Sequence, residues 1–193
     1  KVTVTDPLGH ASDRYTDVRG KLRRVVEPSP DGTSTRGTTN YAYDFFGNLK
    51  SVTDAGDAVT QWAYNRNGHL TSLNHPDRGN WSYTPNSLGE VVSQTDAKAQ
   101  TATLSYDKLS RPLTRVEAEG TTTWTWGTSA AAHEIGQLNT VSGPGGYSEA
   151  FAYDGAGRLV QTTVVADTTY YINMDYNAAG LPESMTYPTS TAG

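Results

Sequence analysis

The amino-acid sequence predicts an all-β chain in which repeated antiparallel β-hairpins join edge to edge into a long twisted sheet. Three observations carry that prediction. Aromatic anchors recur with a mean separation of 23 residues, and self-similarity at a fixed period of this size decides an architecture before any local feature does. Large and small side chains alternate just before seven of the eight anchors, the pattern of a strand with one buried face. Turn-forming residues follow each anchor closely.

The anchors are Tyr15, Tyr43, Tyr64, Tyr83, Tyr106, Trp126, Tyr153 and Tyr176, separated by 28, 21, 19, 23, 20, 27 and 23 residues. Two positions before seven of them stands another large apolar residue: Tyr41, Trp62, Trp81, Leu104, Trp124, Phe151 and Met174. The residue between is small or polar, as in Ala42, Ala63, Ser82, Ser105, Thr125, Ala152 and Asp175. After the ring come Asp44, Asn65, Thr84, Asp107, Gly127, Asp154 and Asn177. Most are side chains that fold back onto nearby backbone N–H groups and start turns. Glycine follows four residues after the ring at Gly47, Gly68, Gly157 and Gly180, supplying the positive φ of a tight turn.

The chain then re-enters extended structure at Leu49, Leu70, Leu138 and Leu159. An i,i+3 apolar pair also suits a helix, but these segments are short, rich in Thr, Ser and Val, and bounded by turn residues, so they read as strands. A second turn closes each unit, as TDAGDA from Thr53, NHPDRGN from Asn74, TDAKAQ from Thr95, EAEG from Glu117 and SGPGG from Ser142. Each unit is therefore two strands and two turns. Four places depart from the pattern. Near Tyr83 the glycine slips to Gly89, near Tyr106 Ser110 stands in the glycine place, after Gly180 the chain continues as LPES, and Trp126 opens a longer connection with room for a helical turn from Ala130 to Glu134.

Composition agrees with a thin sheet. Leu, Ile, Val and Phe supply only 31 of 193 residues, while 12 Tyr and 4 Trp replace the missing aliphatics, and long helical aliphatic stripes are absent. A net charge of -5 offers the chain as a whole no basic footprint for nucleic acid or an acidic membrane surface, so no nucleic-acid partner is expected. With no cysteine, disulfides, thiolate metal sites and a thiol nucleophile are excluded. No window approaches the roughly 18 to 20 apolar residues of a membrane span, and no signal segment is evident at KVTVTDPLGH. The pattern begins mid-unit and ends in PTSTAG, so residues 1–193 are expected to be one segment of about eight units within a larger chain. Single hairpins are marginal in water, and neighbours pairing edge to edge bury a continuous face. Both end strands would then need covering by more chain or a partner.

The repeated core, as YDFFGNL, YNRNGHL, YDKLSRPL, YDGAGRL and YNAAGLP, resembles the Rhs/YD-repeat family, and Thr5 to Gly32 is similar to another such unit. The resemblance implies a curved, spiralling sheet that forms part of a hollow β-shell. In bacterial Rhs proteins and the C component of insecticidal toxin complexes, such a shell encloses a toxic C-terminal polypeptide until delivery; the related teneurins use a similar barrel in adhesion. It therefore implies a non-catalytic segment that encapsulates a toxin. Its partners would be the remaining repeats and the enclosed toxin domain, and its location secreted, cell-surface or reached through a bacterial secretion system. The family's Asp-Pro-x-Gly-Leu cleavage junction is only partly matched by Asp6-Pro7-Leu8-Gly9, which His10 and all the repeats follow; it reads as a hairpin turn.

Conventional chemistry has no nucleus. His10, His69, His75 and His133 lack ligand spacing, no G-x-S-x-G elbow, P-loop or dinucleotide fingerprint occurs, and no cofactor is expected. Asp44, Asp107 and Asp154 recur at one turn position, which marks structure more than paired acid–base catalysis. The expected motif residues are thus architectural: Tyr43, Asp44, Gly47, Leu49, Tyr64, Asn65, Gly68, Leu70, Tyr106, Asp107, Tyr153, Asp154, Gly157, Leu159, Tyr176, Asn177 and Gly180. The alternative is a cell-surface carbohydrate-binding or adhesion module, with Trp62, Trp81 and Trp124 as candidate glycan-stacking rings. Asn80-Trp81-Ser82 has the form of a glycosylation sequon, usually silent in a bacterial chain.

Overall fold

The structure, a computed structural model, describes residues 1–7, 9, 11–29 and 35–188. Leu8 and His10, residues 30–34, and the last residues of the PTSTAG tail lie outside the described residues. The chain divides into two compact units, Lys1–Gln100 and Thr101–Gly193. Both are all-β, with consecutive strands paired antiparallel, as the sequence predicts.

The first unit holds β1 (Val2–Thr5), β2 (Ala11–Thr16), β3 (Leu22–Pro28), β4 (Thr35–Tyr43), β5 (Leu49–Thr53), β6 (Val59–Tyr64), β7 (Leu70–His75), β8 (Gly79–Pro85) and β9 (Val91–Thr95). Period-two patterning sets its faces. Trp62, Leu73 and Trp81 are opposite one another across β6, β7 and β8, and Tyr41 faces Val52. Ala63, Ser72 and Ser82 form the matching row on the other face, because successive side chains on a strand point to opposite sides.

The second unit holds β10 (Thr101–Tyr106), β11 (Pro112–Glu117), β12 (Gly120–Trp126), β13 (Leu138–Ser142), β14 (Ser148–Tyr153), β15 (Leu159–Val165), β16 (Thr169–Tyr176) and β17 (Pro182–Thr186). A short 3₁₀ turn, Pro144–Gly146, sits between β13 and β14. Trp124, Val141, Glu149, Val164 and Tyr170 share one face across β12 to β16. Leu49, Leu70, Leu138 and Leu159 are each the first residue of a strand.

Among the described residues neither unit has a second layer over its sheet. Among the described residues Ala102 is the only buried hydrophobic one, and the ring-bearing positions are half-buried. Backbone hydrogen bonds and stacking along the sheet, more than a closed core, hold the chain together.

Three expectations are corrected. The turn after Tyr83 does not slip: β8 runs on to Pro85, which occupies the ring place ahead of Asn86 and Gly89, so Tyr83 takes the preceding apolar slot and Thr84 lies within the strand. Tyr15 is also one residue out of register, since Thr16 ends β2 and Asp17 starts the turn; Tyr15 therefore points to the other face, under the Arg24 guanidinium at 4.3 Å. The connection after Trp126 contains hydrogen-bonded turns and no helix: His133 N–H donates to Ala130 O, and His133 itself has φ +55, which breaks right-handed helical continuity.

Candidate functional site

One turn recurs, and its chemistry is visible at Asp44. The Asp44 N–H donates to Asn48 O at 2.9 Å and the Gly47 N–H to Asp44 O at 3.1 Å. The Asp44 carboxylate accepts from the Asn48 N–H at 2.8 Å. Gly47 has φ +91, a conformation that costs an L side chain about 1–2 kcal/mol. In the first unit the same backbone pair closes the turns at Asp17, Asn65 and Asn86. In the second it closes those at Asp107, Asp154 and Asn177. Where a turn follows the ring-place residue, the register shifts there, for instance between Ala42 and Tyr43, Ala63 and Tyr64, and Ala152 and Tyr153. Such a bulge increases local twist.

The sequence reading missed that two of the second turns use the same device. Asp54 Oδ1 accepts from Gly56 and Ala58 N–H groups, and Asp96 Oδ1 from Lys98 and Gln100. Asp57 and Ala99 then take the left-handed place, at φ +62 and +61. The available signal was an Asp three residues ahead of a small or turn-forming residue, hidden because neither position is glycine.

The second missed feature is the residue immediately after the turn glycine, which joins one hairpin to the next. Lys21 Nζ donates to Gly47 O at 2.5 Å and lies 5.0 Å from the Tyr43 ring centroid. His69 Nε2 is 2.9 Å from where a Gly89 Cβ would stand. In the second unit Arg111 lies 4.7 Å over the Trp126 ring, Gln137 Nε2 donates to Gly157 O at 3.1 Å, and Arg158 lies 4.3 Å over Tyr176. At Gly47 and Gly89 the turn glycine thus serves twice: it permits positive φ, and it leaves room for the neighbouring hairpin's side chain, since a Cβ would stand 2.8 Å from Lys21 Nζ and 2.9 Å from His69 Nε2.

The rings close the joint from the other side. Tyr153 Oη donates to Leu138 O at 2.7 Å, Tyr176 Oη to Leu159 O at 2.9 Å and Trp126 Nε1 to Pro112 O at 2.9 Å. Each polar tip reaches back to the first residue of the preceding hairpin's returning strand, satisfying a half-buried donor. Burial, and then the Glu134 charge, raise the Tyr153 phenol above its ordinary range; burial and the Asp44 charge do the same at Tyr64.

The turn carboxylates are engaged by hydrogen bonds and ion pairs within their own turns. Asp154 accepts from the Ala156 and Arg158 N–H groups and is paired with the Arg158 guanidinium at 2.6 Å. The Arg158 side-chain bond first, then the backbone N–H groups, hold its carboxyl down to about 2. The Arg111 side chain depresses Asp107 likewise, and the Asn48 amide depresses Asp44. Carboxylates held ionised in this way are poorly suited to donate protons near neutral pH. Among the described residues no group of three or more His, Asp or Glu side chains converges as a metal site. Of the candidate stacking rings, Trp81 donates its indole N–H to Arg78 O at 3.1 Å. Trp62 and Trp124 lie half-buried in the ring rows. No helix among the described residues is long and apolar enough to cross a membrane.

Residues 43–79 match the RHS Repeat family. The search of curated proteins finds no match. Among solved structures, the crystal structure of TcdB2-TccC3-TEV is similar over 96% of this chain and 11% of its own, at 16% identity and TM-score 0.75. That of TcdB2-TccC3 is similar over 94% of this chain and 12% of its own, at 14% identity and TM-score 0.53. The chain spans little more than a tenth of the length of those chains, and the likeness is one of fold. The RHS Repeat motif is thus matched at one hairpin pair, residues 43–79, and the same turn and joint recur within both units of the chain.

Proposed function

We propose that this chain is a non-enzymatic wall segment of an Rhs/YD-repeat shell, which encloses and carries a toxin or effector lying C-terminal to it. Residues 1–193 would contribute about eight units of a larger chain, with the remaining repeats and the enclosed domain as partners. The setting would be a protein secreted, displayed at the cell surface or delivered by a bacterial secretion system. The observation that supports this most is the single-layer build: both units spend their polar and aromatic groups on joints between adjacent hairpins, and Ala102 is the one buried hydrophobic residue described. A sheet of this kind is suited to extend edge to edge as a wall. Its function would be containment, keeping a cargo from water, proteases and the producing cell's own substrates.

The test is protease protection in the full-length protein. Deleting the repeats should expose the downstream domain to digestion, whereas the intact protein should keep it resistant. Equal resistance with and without the repeats would refute containment. Activity retained by the repeat segment itself, once the downstream domain is removed, would refute the non-enzymatic assignment.

A further inference from the structure

In the first unit the turns at Asp17, Asp44, Asn65 and Asn86 all connect strands at the same end of successive hairpins, so their tips form one rim, spaced by about 10 Å per two strands. The rim is apolar and basic. Phe45 and Phe46 stand 85% and 75% exposed and pack edge to face, with centroids 5.7 Å apart. Val18 and Leu88 project from flanking tips, both largely exposed. Arg19 and Arg66 lie at exposed tip positions, and neither guanidinium forms an ion pair among the described residues. The turn carboxylates are drawn inward: Asp17 is taken up by Arg19 N–H, Lys21 N–H and Arg23 Nε, and Asp44 by Asn48.

We propose that this rim is a contact site for an anionic lipid surface, with Phe45 and Phe46 entering the interfacial layer while Arg19 and Arg66 meet headgroup phosphates. Two features favour lipid over a protein partner. The apolar groups sit on separate protruding tips, which suits a deformable medium better than a shape-complementary surface. The arginines without carboxylate partners complement phosphate, and an apolar insertion combined with basic residues is the combination that gives reversible interfacial binding.

The full chain should co-sediment with vesicles of equimolar phosphatidylcholine and phosphatidylglycerol. F45S/F46S should lower the bound fraction by about tenfold, with circular dichroism unchanged because both rings are exposed. R19Q/R66Q, which leaves the rings in place, should abolish the preference over pure phosphatidylcholine vesicles. Failure of the unaltered chain to bind overturns the proposal, as does binding by F45S/F46S at the original level or a phosphatidylglycerol preference retained by R19Q/R66Q. If vesicles are ignored and F45S/F46S instead changes the oligomeric state, the tip is a protein contact and the lipid assignment is wrong.

Discussion

The Arg158 guanidinium lies 4.3 Å from the Tyr176 ring centroid, one hairpin further along the chain. The same group holds the Asp154 carboxylate at 2.6 Å within its own turn, so one side chain ties a turn to its neighbour. Replacing Arg158 by Lys should keep the charge but lose the planar two-nitrogen grip and the ring stacking. Thermal melting should fall for Arg158→Lys and fall further for Arg158→Ala. Equal melting of Arg158→Lys and the parent would refute the joint.

That contact predicts an acid dependence. Asp154 is held at about 2 in the folded chain, from an ordinary value of 3.8, so folding favours its ionised form. A depressed carboxylate contributes fully above its unfolded value, and the contribution is lost as pH falls from about 4 towards 2. Because the pair is partly exposed, added salt should shrink the effect. NMR titration of the Asp154 side chain should show a midpoint well below that of an exposed Asp, rising in Arg158→Ala. An unperturbed midpoint would refute the pairing.

A comparison of two glycines separates backbone strain from hairpin-to-hairpin packing. Gly20 and Gly89 both have positive φ. A Cβ at Gly20 meets nothing within 4 Å, whereas at Gly89 it would stand 2.9 Å from His69 Nε2 and 3.1 Å from Cδ2. Gly20→Ala should cost about 1 kcal/mol from left-handed strain alone. Gly89→Ala should cost more by about 1 kcal/mol, because an imidazole packed in the joint must move. Equal losses in chemical denaturation would show that His69 gives way freely.

Much of this fold could be read from the residues. Leu49 and Leu159 begin strands because the alternation before Tyr43 and Tyr153, followed by an Asp and a glycine, leaves one way to reverse the chain. The anchors at Tyr15 and Tyr83 misled because an aromatic ring was taken as the marker, whereas the turn is fixed by the Asp or Asn whose side chain caps two N–H groups. Proline at position 85 fills the ring place without looking like a ring. The joints were illegible for a different reason: Lys21 and Arg158 are cations, His69 an imidazole and Gln137 an amide, so the four share a position and a neighbour but no one side-chain type, and only the geometry makes them one feature.

Tyr153 tests the ring side of the joint. Its hydroxyl donates to Leu138 O at 2.7 Å, and Tyr153→Phe keeps the ring while leaving that carbonyl without the bond. A hydrogen bond of this kind contributes about 1 kcal/mol net, so urea unfolding should show a loss near that size with an unchanged denaturant slope. No loss would mean that water replaces the phenol at no cost.

Ser110 carries a prediction of opposite sign. It occupies the turn place that glycine fills after Tyr43 and Tyr153, at φ +61, and its N–H donates to Asp107 O at 3.1 Å. An L residue in this region carries about 1–2 kcal/mol of strain, while introducing glycine costs roughly 0.4–1 kcal/mol through the freedom it adds to the unfolded chain. Strain relief is the larger effect, so Ser110→Gly should stabilise by about 0.5 kcal/mol. Asp57→Gly, at φ +62 in a turn capped by Asp54, should change in the same direction. A lower melting temperature in both variants would show that these turns accommodate side chains without strain.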